Sequence, residues 1–139
     1  SGFEGASVRA GTKRNPIERI GGGGLTARIF LGLNVGDKPT YTIEEVVRDT
    51  VKIRKEQGTL PDASFLAQRG VYTQSADGKV IQENSVQIII IDVEGKTKGD
   101  FTNEVNSLGA ALREHFKQES VIVEIQERGI VQDVYSITA

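Results

Sequence analysis

Residues 64–93 read SFLAQRGVYTQSADGKVIQENSVQIIIIDV, and the architecture follows from how this segment is parsed. Asp77-Gly78 is a two-residue turn signal, because glycine takes a positive φ at no steric cost. It makes residues 64–73 and 79–93 the two arms of one hairpin. The second arm carries Val86-Gln87-Ile88-Ile89-Ile90-Ile91. A nearly continuous β-branched run of this kind belongs in the middle of a sheet or where both faces are covered.

Working outward, a helix lies on each side of the hairpin. Upstream, Thr42 with Glu45 three residues on is a capping-box pattern. Ile43, Val46, Val47 and Val51 follow at helical spacing, and Gly58 fits the stop. A strand over 25–34 precedes this helix. Downstream, a helix starts near Asp100 with Phe101, Val105, Leu108, Leu112 and Phe116 on one face. Gly109 inside it costs about 1 kcal/mol against alanine, so close packing is the reason expected for it. A strand over 121–126 follows, then an Arg128-Gly129 turn and a last strand over 130–137. The order is β-α-β-β-α-β plus one strand, an α+β, ferredoxin-like sandwich with an extra C-terminal strand. In that plan the first and third strands are central, and they are the most apolar here. Both helices lie on one face of the sheet, so the other face needs a cover. A partner subunit is the expected one, in a closed trimer of sheets like those of PII-like and CutA-like proteins.

The chain has 139 residues, 37% hydrophobic and 26% charged, which suits one folded domain. Its net charge of −2 lacks the basic footprint of a general nucleic-acid binder. No apolar run approaches the roughly 20 residues that span a bilayer, and no secretory pattern is visible. A cytoplasmic location is the simplest expectation. With no cysteine and one histidine, neither a metal site nor a cofactor is expected. Residues 1–24 hold seven of the sixteen glycines and several basic residues. A strand, not a helix, follows the run 21–24, so a phosphate loop is disfavoured. These residues read as a flexible glycine-rich arm, and 25–139 as the folded domain.

Candidate site residues cluster in two short segments. Tyr72 enters the hairpin turn and Glu83 leaves it; Gln118-Glu119 closes the second helix. Each has an ordinary reading: a half-buried strand tyrosine, a solvated strand end, two loop residues. A carboxylate at a helix C-terminus gains nothing from the helix dipole, which favours another use for Glu119. His115 reads as structural and Arg69 as a surface ion-pair former. No G-x-S-x-G elbow is present. Any chemistry would work by positioning and electrostatics.

GVYTQSADGKVIQENS (70–85) and HFKQESVIVEI (115–125) resemble segments of phage-encoded S-adenosylmethionine lyases, formerly called SAM hydrolases, in a compact trimeric branch with a PII-like fold. Phe30-Leu31-Gly32-Leu33, Arg69-Gly70 and Gln118-Glu119-Ser120-Val121 also resemble motifs of a ferredoxin-like family of unknown function. The lyase resemblance implies a site at a subunit interface, with Tyr72 against the ligand and Glu83 facing the methionine part of S-adenosylmethionine. Gln118 and Glu119 would come from the neighbouring subunit, and the loop over 34–39 would line the pocket. It implies catalytic roles for Glu83, Glu119 and Tyr72, substrate contacts from Tyr72, Gln118 and Glu83, and action in the host cytoplasm. The expected products are 5′-methylthioadenosine and L-homoserine lactone. A non-catalytic trimer binding a nucleotide or metabolite is the alternative, and a structural adaptor is a third reading.

Overall fold

Leu25, Ala27, Ile29 and Leu31 are all buried, and the residues between them are half-buried. This alternation builds the first strand, β1 (Leu25–Gly32). The structure, a computed structural model, describes residues 16–18, 24–73 and 76–139, with the side chains of residues 72 and 73 outside that description. After β1 come a short hairpin of β2 (Asn34–Val35) and β3 (Lys38–Pro39), then α1 (Ile43–Glu56), β4 (Ser64–Thr73), β5 (Val80–Ile91), α2 (Lys98–His115), β6 (Ser120–Glu127) and β7 (Ile130–Thr138). The expected arm over 1–24 lies outside the described residues, apart from 16–18 and Gly24.

The main sheet has the order β4-β5-β1-β6-β7, and every pair is antiparallel. This is the ferredoxin-like arrangement with β7 added beside β6. The first strand and the isoleucine-rich arm are interior, as their composition implies. The core joins Ile29, Ile88 and Val123 across three strands to Phe101, Val105, Leu108 and Leu112 of α2 and Val46 of α1. Turn and cap chemistry agree with the expectations. Thr42 and Glu45 form a complete capping box on α1. The Lys79 N–H donates to Asp77 Oδ1 at 2.9 Å. Arg128 and Gly129 both take positive φ, +52° and +79°, as a primed hairpin turn requires.

One expectation needs correction. The first strand stops at Gly32 rather than at residue 34. Leu33 turns its carbonyl to the N–H groups of Thr40 and Tyr41, and the β2–β3 hairpin pivots at Gly36 with φ +62°. The isoleucine run is central, but within one chain it is covered on one face only. Ile88 and Ile90 are buried, whereas Ile91 is 62% exposed. Leu66, Ile91 and Val134 lie exposed on the face away from the helices, with Phe30, Ile89 and Ile122 half-buried among them. Among the described residues no helix is long and apolar enough to cross a membrane.

Gly109 does what its place in α2 suggested. A Cβ there would stand 2.8 Å from Ile137 Cδ1 and 2.9 Å from Val123 Cγ2. Gly109→Ala gains about 1 kcal/mol of helix propensity, but overpacking a core contact costs about 1–3 kcal/mol. Packing should win, because Val123 is fixed inside the sheet. Calorimetry should give a lower Tm for Gly109→Ala; a higher one would mean that the helix can lift off the sheet freely.

Candidate active site

The end of β1, the start of β5 and the turn before β6 meet at one end of the sheet. They enclose an open cleft of about 670 Å³, lined by Gly32, Asn34, Asp37, Glu83, Gln118 and Glu119 among others. Three of the four candidate residues are therefore brought together, and within a single chain. Gln118 and Glu119 line the same chain's cavity as Glu83, so these two need no neighbouring subunit to reach it. The loop over 34–39 contributes to the lining, as expected. Tyr72 stands on the edge strand β4 opposite Ile81, two residues beyond Gly70, which faces Glu83 in the ladder. Its side chain lies outside the described residues.

The turn that delivers Gln118-Glu119 is a helix-ending motif of Schellman type. The Gln118 N–H donates to Arg113 O at 2.9 Å and the Lys117 N–H to Glu114 O at 3.3 Å. Lys117 occupies the left-handed position, φ +53°, where glycine is usual. Next to it, the last turn of α2 is anchored twice. His115 Nε2 lies 2.9 Å from Asp49 Oδ2, and Phe116 meets Tyr41 edge-on at 4.9 Å between centroids. The hydrogen bond from Arg48, and then the one with His115, hold the Asp49 carboxyl below its ordinary range. His115 is thus structural, as its isolation implied. Arg69 is exposed and faces Asn84 across the β4–β5 ladder.

Gln118 is fixed at both amide hydrogens. Its Nε2 donates to Asn34 O at 2.8 Å and to Phe116 O at 2.9 Å. That leaves Oε1 as an acceptor, with no donor to it among the described residues. Asn34 is 3% exposed, and its side chain donates to Gln82 O at 3.2 Å. Its backbone N–H is near enough to the Glu83 carboxylate to favour the charged form. The backbone on the two sides of buried Asn34 therefore faces both an acid and an amide of the site. Burial raises the Glu83 pKa, and the Asn34 N–H opposes it more weakly. Asp37, Glu83 and Glu119 outnumber Lys117 along the lining; with Asp37 answered by Lys79 at 3.7 Å, an acidic excess remains, so the cleft favours a cation.

The residues that sequence reasoning missed are Gly32 and Lys117. Only the Phe30-Leu31-Gly32-Leu33 motif pointed at Gly32, and without a reason. A second cavity, about 220 Å³, lies at the opposite end of the sheet around Arg54, Asp92, Lys96 and Glu104. Its ionic groups largely answer one another, though Arg54 Nε and Nη1 are buried without a hydrogen-bond partner among the described residues. Glu104 takes Arg54 at 3.6 Å and Lys96 at 3.3 Å, and Asp92 accepts from the Glu94 and Lys96 N–H groups. Glu83, Gln118 and Glu119 do not line it.

An α+β chain of ferredoxin-like order, with an acid- and amide-lined cleft at the strand ends, is the class that fold and site define. Among protein-family models and among curated proteins, none matches the chain. Solved structures do. A phage SAM lyase in complex with S-methyl-5′-thioadenosine is 74% identical, with a TM-score of 0.82, over 90% of this chain and 97% of that one. A phage SAM lyase in the apo state is likewise 74% identical over the same shares, with a TM-score of 0.81. The chain belongs to the phage SAM lyase family.

The raised carboxyl of Glu83 predicts a trade between stability and function. A carboxyl whose folded pKa exceeds its unfolded value, near 4.5, loses stability as pH rises through the folded pKa. Glu83→Gln removes that charge and keeps an acceptor for the Asn34 N–H. Its Tm at pH 7 should equal or exceed the wild-type value, and the gap should close on acidification below about pH 4, where the carboxyl is protonated in both states. A markedly lower Tm at neutral pH would contradict the burial argument.

Proposed function

We propose that this chain cleaves S-adenosylmethionine to 5′-methylthioadenosine and L-homoserine lactone. The observation that carries the reading is 74% identity, over nearly the whole chain, to phage SAM lyases, one of them solved with S-methyl-5′-thioadenosine. The cleft is chemically suited to such a substrate, being acidic and lacking the serine elbow or cysteine that covalent catalysis would use.

The reaction needs little from the protein beyond geometry. The substrate carboxylate oxygen attacks its own γ-carbon and closes a five-membered lactone. The Cγ–S bond breaks, and its electron pair returns to sulfur, which becomes the neutral thioether of methylthioadenosine. The ammonium is retained, so charge balances with no proton transfer and no added water. Holding the chain bent is the catalytic task, and such positioning can supply roughly 7–11 kcal/mol. Glu83 orients the substrate ammonium by a charge-assisted hydrogen bond. Glu119 adds negative potential for the cationic substrate, Gln118 offers an acceptor, and Tyr72 lies against the ligand. No group in this scheme is a general base; water attack would need one and would give homoserine instead.

The unit that acts is a homotrimer, with the site completed at a subunit boundary. The apolar sheet face left open by the two helices supports this, since it offers neighbours a surface to cover. Residues 25–139 form the catalytic domain and 1–24 an arm outside it, consistent with β1 starting at Leu25. The enzyme would act in the host cytoplasm. The alternative, a non-catalytic nucleotide- or metabolite-binding trimer, has less behind it, because the relatives are lyases.

Incubation with S-adenosylmethionine, followed by NMR, tests the reading directly. Methylthioadenosine with homoserine lactone appearing first is expected; homoserine as the first product would replace lactone closure by hydrolysis, and intact substrate would refute both. Glu83→Gln should lower kcat/KM by about 100-fold or more, the scale of losing a charged hydrogen bond in a partly dry site, whereas Tyr72→Phe should weaken activity only. Light scattering should give three times the chain mass of 15.1 kDa, and a monomeric active species would remove the interface from the scheme.

A further inference from the structure

Gly32 ends β1 in ordinary extended backbone, paired with Ser85. Its φ is outside the left-handed region, unlike Gly36, Gly78 and Gly129. Nothing in the main chain calls for glycine there. The reason lies in space. A Cβ on Gly32 would stand 2.5 Å from Glu83 Oε2, 3.1 Å from Glu83 Cδ and 3.1 Å from Gln118 Oε1. No core atom is among these three nearest neighbours. All belong to the ends of two long side chains that line the cleft.

The same two side chains meet the backbone of Asn34, two residues further on. Asn34 O accepts from the Gln118 amide at 2.8 Å, and the Asn34 N–H lies near the Glu83 carboxylate and favours its charge. In this arrangement a Glu83 oxygen and Gln118 Oε1 both lie over the bare Cα of Gly32. Both are acceptors, and they cannot bond each other. Their convergence leaves a place for a donor from outside the chain, and a ligand ammonium supplies it.

We infer that Gly32 is a positioning residue: its missing side chain is the seat that lets Glu83 and Gln118 converge, beside the backbone of Asn34, on the ammonium of the substrate. The inference rests on the lyase reading for the identity of that ammonium. It also gives the Phe30-Leu31-Gly32-Leu33 motif a physical reason.

A glycine kept for backbone or core reasons and one kept for this seat respond differently to alanine. The clash at Gly32 involves flexible side-chain ends, so Gly32→Ala should fold normally, with Tm close to wild type. The Glu83 carboxylate must swing out, and kcat/KM for S-adenosylmethionine should fall by up to about 100-fold, as displacements near 1 Å do. A titration of the Glu83 carboxyl carbon by ¹³C NMR, assigned against Glu83→Gln, should move down toward the ordinary carboxylate value as the group leaves its half-buried seat. Glu83→Asp withdraws the carboxylate by one methylene. In that background Gly32→Ala should cost less than about twofold more, because the clash it creates is already relieved.

Wild-type kcat/KM in Gly32→Ala would overturn the inference. So would an unmoved Glu83 titration, or an equal loss from Gly32→Ala in the wild-type and Glu83→Asp backgrounds. If the wild-type protein itself leaves S-adenosylmethionine intact, the lyase reading fails separately. The carboxyl titration, which needs no turnover, then still decides whether Gly32 seats Glu83.

Discussion

The double pairing of β1 is the constraint on which the rest depends. Ile29 has no exposed surface and stands between Ile88 on one side and Val123 on the other. Both pairings are antiparallel, so fixing them fixes what lies beyond the end of the strand. Gly32 falls opposite Ser85, two residues from Glu83, and β6 begins at Ser120, directly after Gln118-Glu119. A slip of one residue would turn every side chain of β1 to the other face. It would bury Arg28 and Phe30 in place of Ile29 and Leu31, and it would also part the cleft residues. The register that fills the core is therefore the register that assembles the cleft.

The cleft works against that stability in small ways. Glu83 is held where burial disfavours its charge. Lys117 occupies a backbone conformation usually left to glycine, at a cost of about 1–2 kcal/mol for an L-residue. Three acids line the cleft against one lysine. The surrounding framework absorbs this, because the strained pieces hang from its best-fixed parts. The Lys117 turn follows the C-cap of α2, Phe116, a core residue 1% exposed. Asn34 follows Leu33, whose N–H is bonded to Asn84 O at 2.9 Å. Local strain at a site persists only where its environment over-determines it.

Much of this was readable in the sequence, for a definable reason. The capping box at Thr42, the turns at Asp77-Gly78 and Arg128-Gly129, and the stripe from Phe101 to Phe116 are local signals, with cause and effect a few residues apart. The strand order followed from the β-α-β-β-α-β sequence of elements, and the two strands it makes central are the most apolar. Glu83, Gln118 and Glu119 stood out as polar residues at element ends. What could not be read acts at long range or through backbone. The Gln118 amide bonds the carbonyl of Asn34, 84 residues away, and a carbonyl is the same whatever residue bears it. Gly32 matters through an absent side chain whose space is filled from Glu83 and Gln118. Lys117 holds a glycine's conformation without being glycine. The resemblance put Gln118 and Glu119 on a neighbouring subunit, whereas the short α2–β6 turn brings them to the cleft of their own chain.

An open cleft poses one further question for lactone closure. A cavity of about 670 Å³ at the end of the sheet does not by itself keep water from the γ-carbon of a bound S-adenosylmethionine. Exclusion is not required if the internal nucleophile is effectively more concentrated than water. Well-oriented intramolecular groups reach effective molarities of about 10⁵–10⁸ M, far above the concentration of liquid water. A carboxylate is also the better nucleophile at neutral pH, since water has first to lose a proton. The margin lasts only while the substrate stays bent, so the task falls on the residues that hold its ammonium end. The acceptors over Gly32 bear on that end. In this scheme the protein selects lactone over homoserine by fixing a conformation, and it needs neither a lid nor a base to do so.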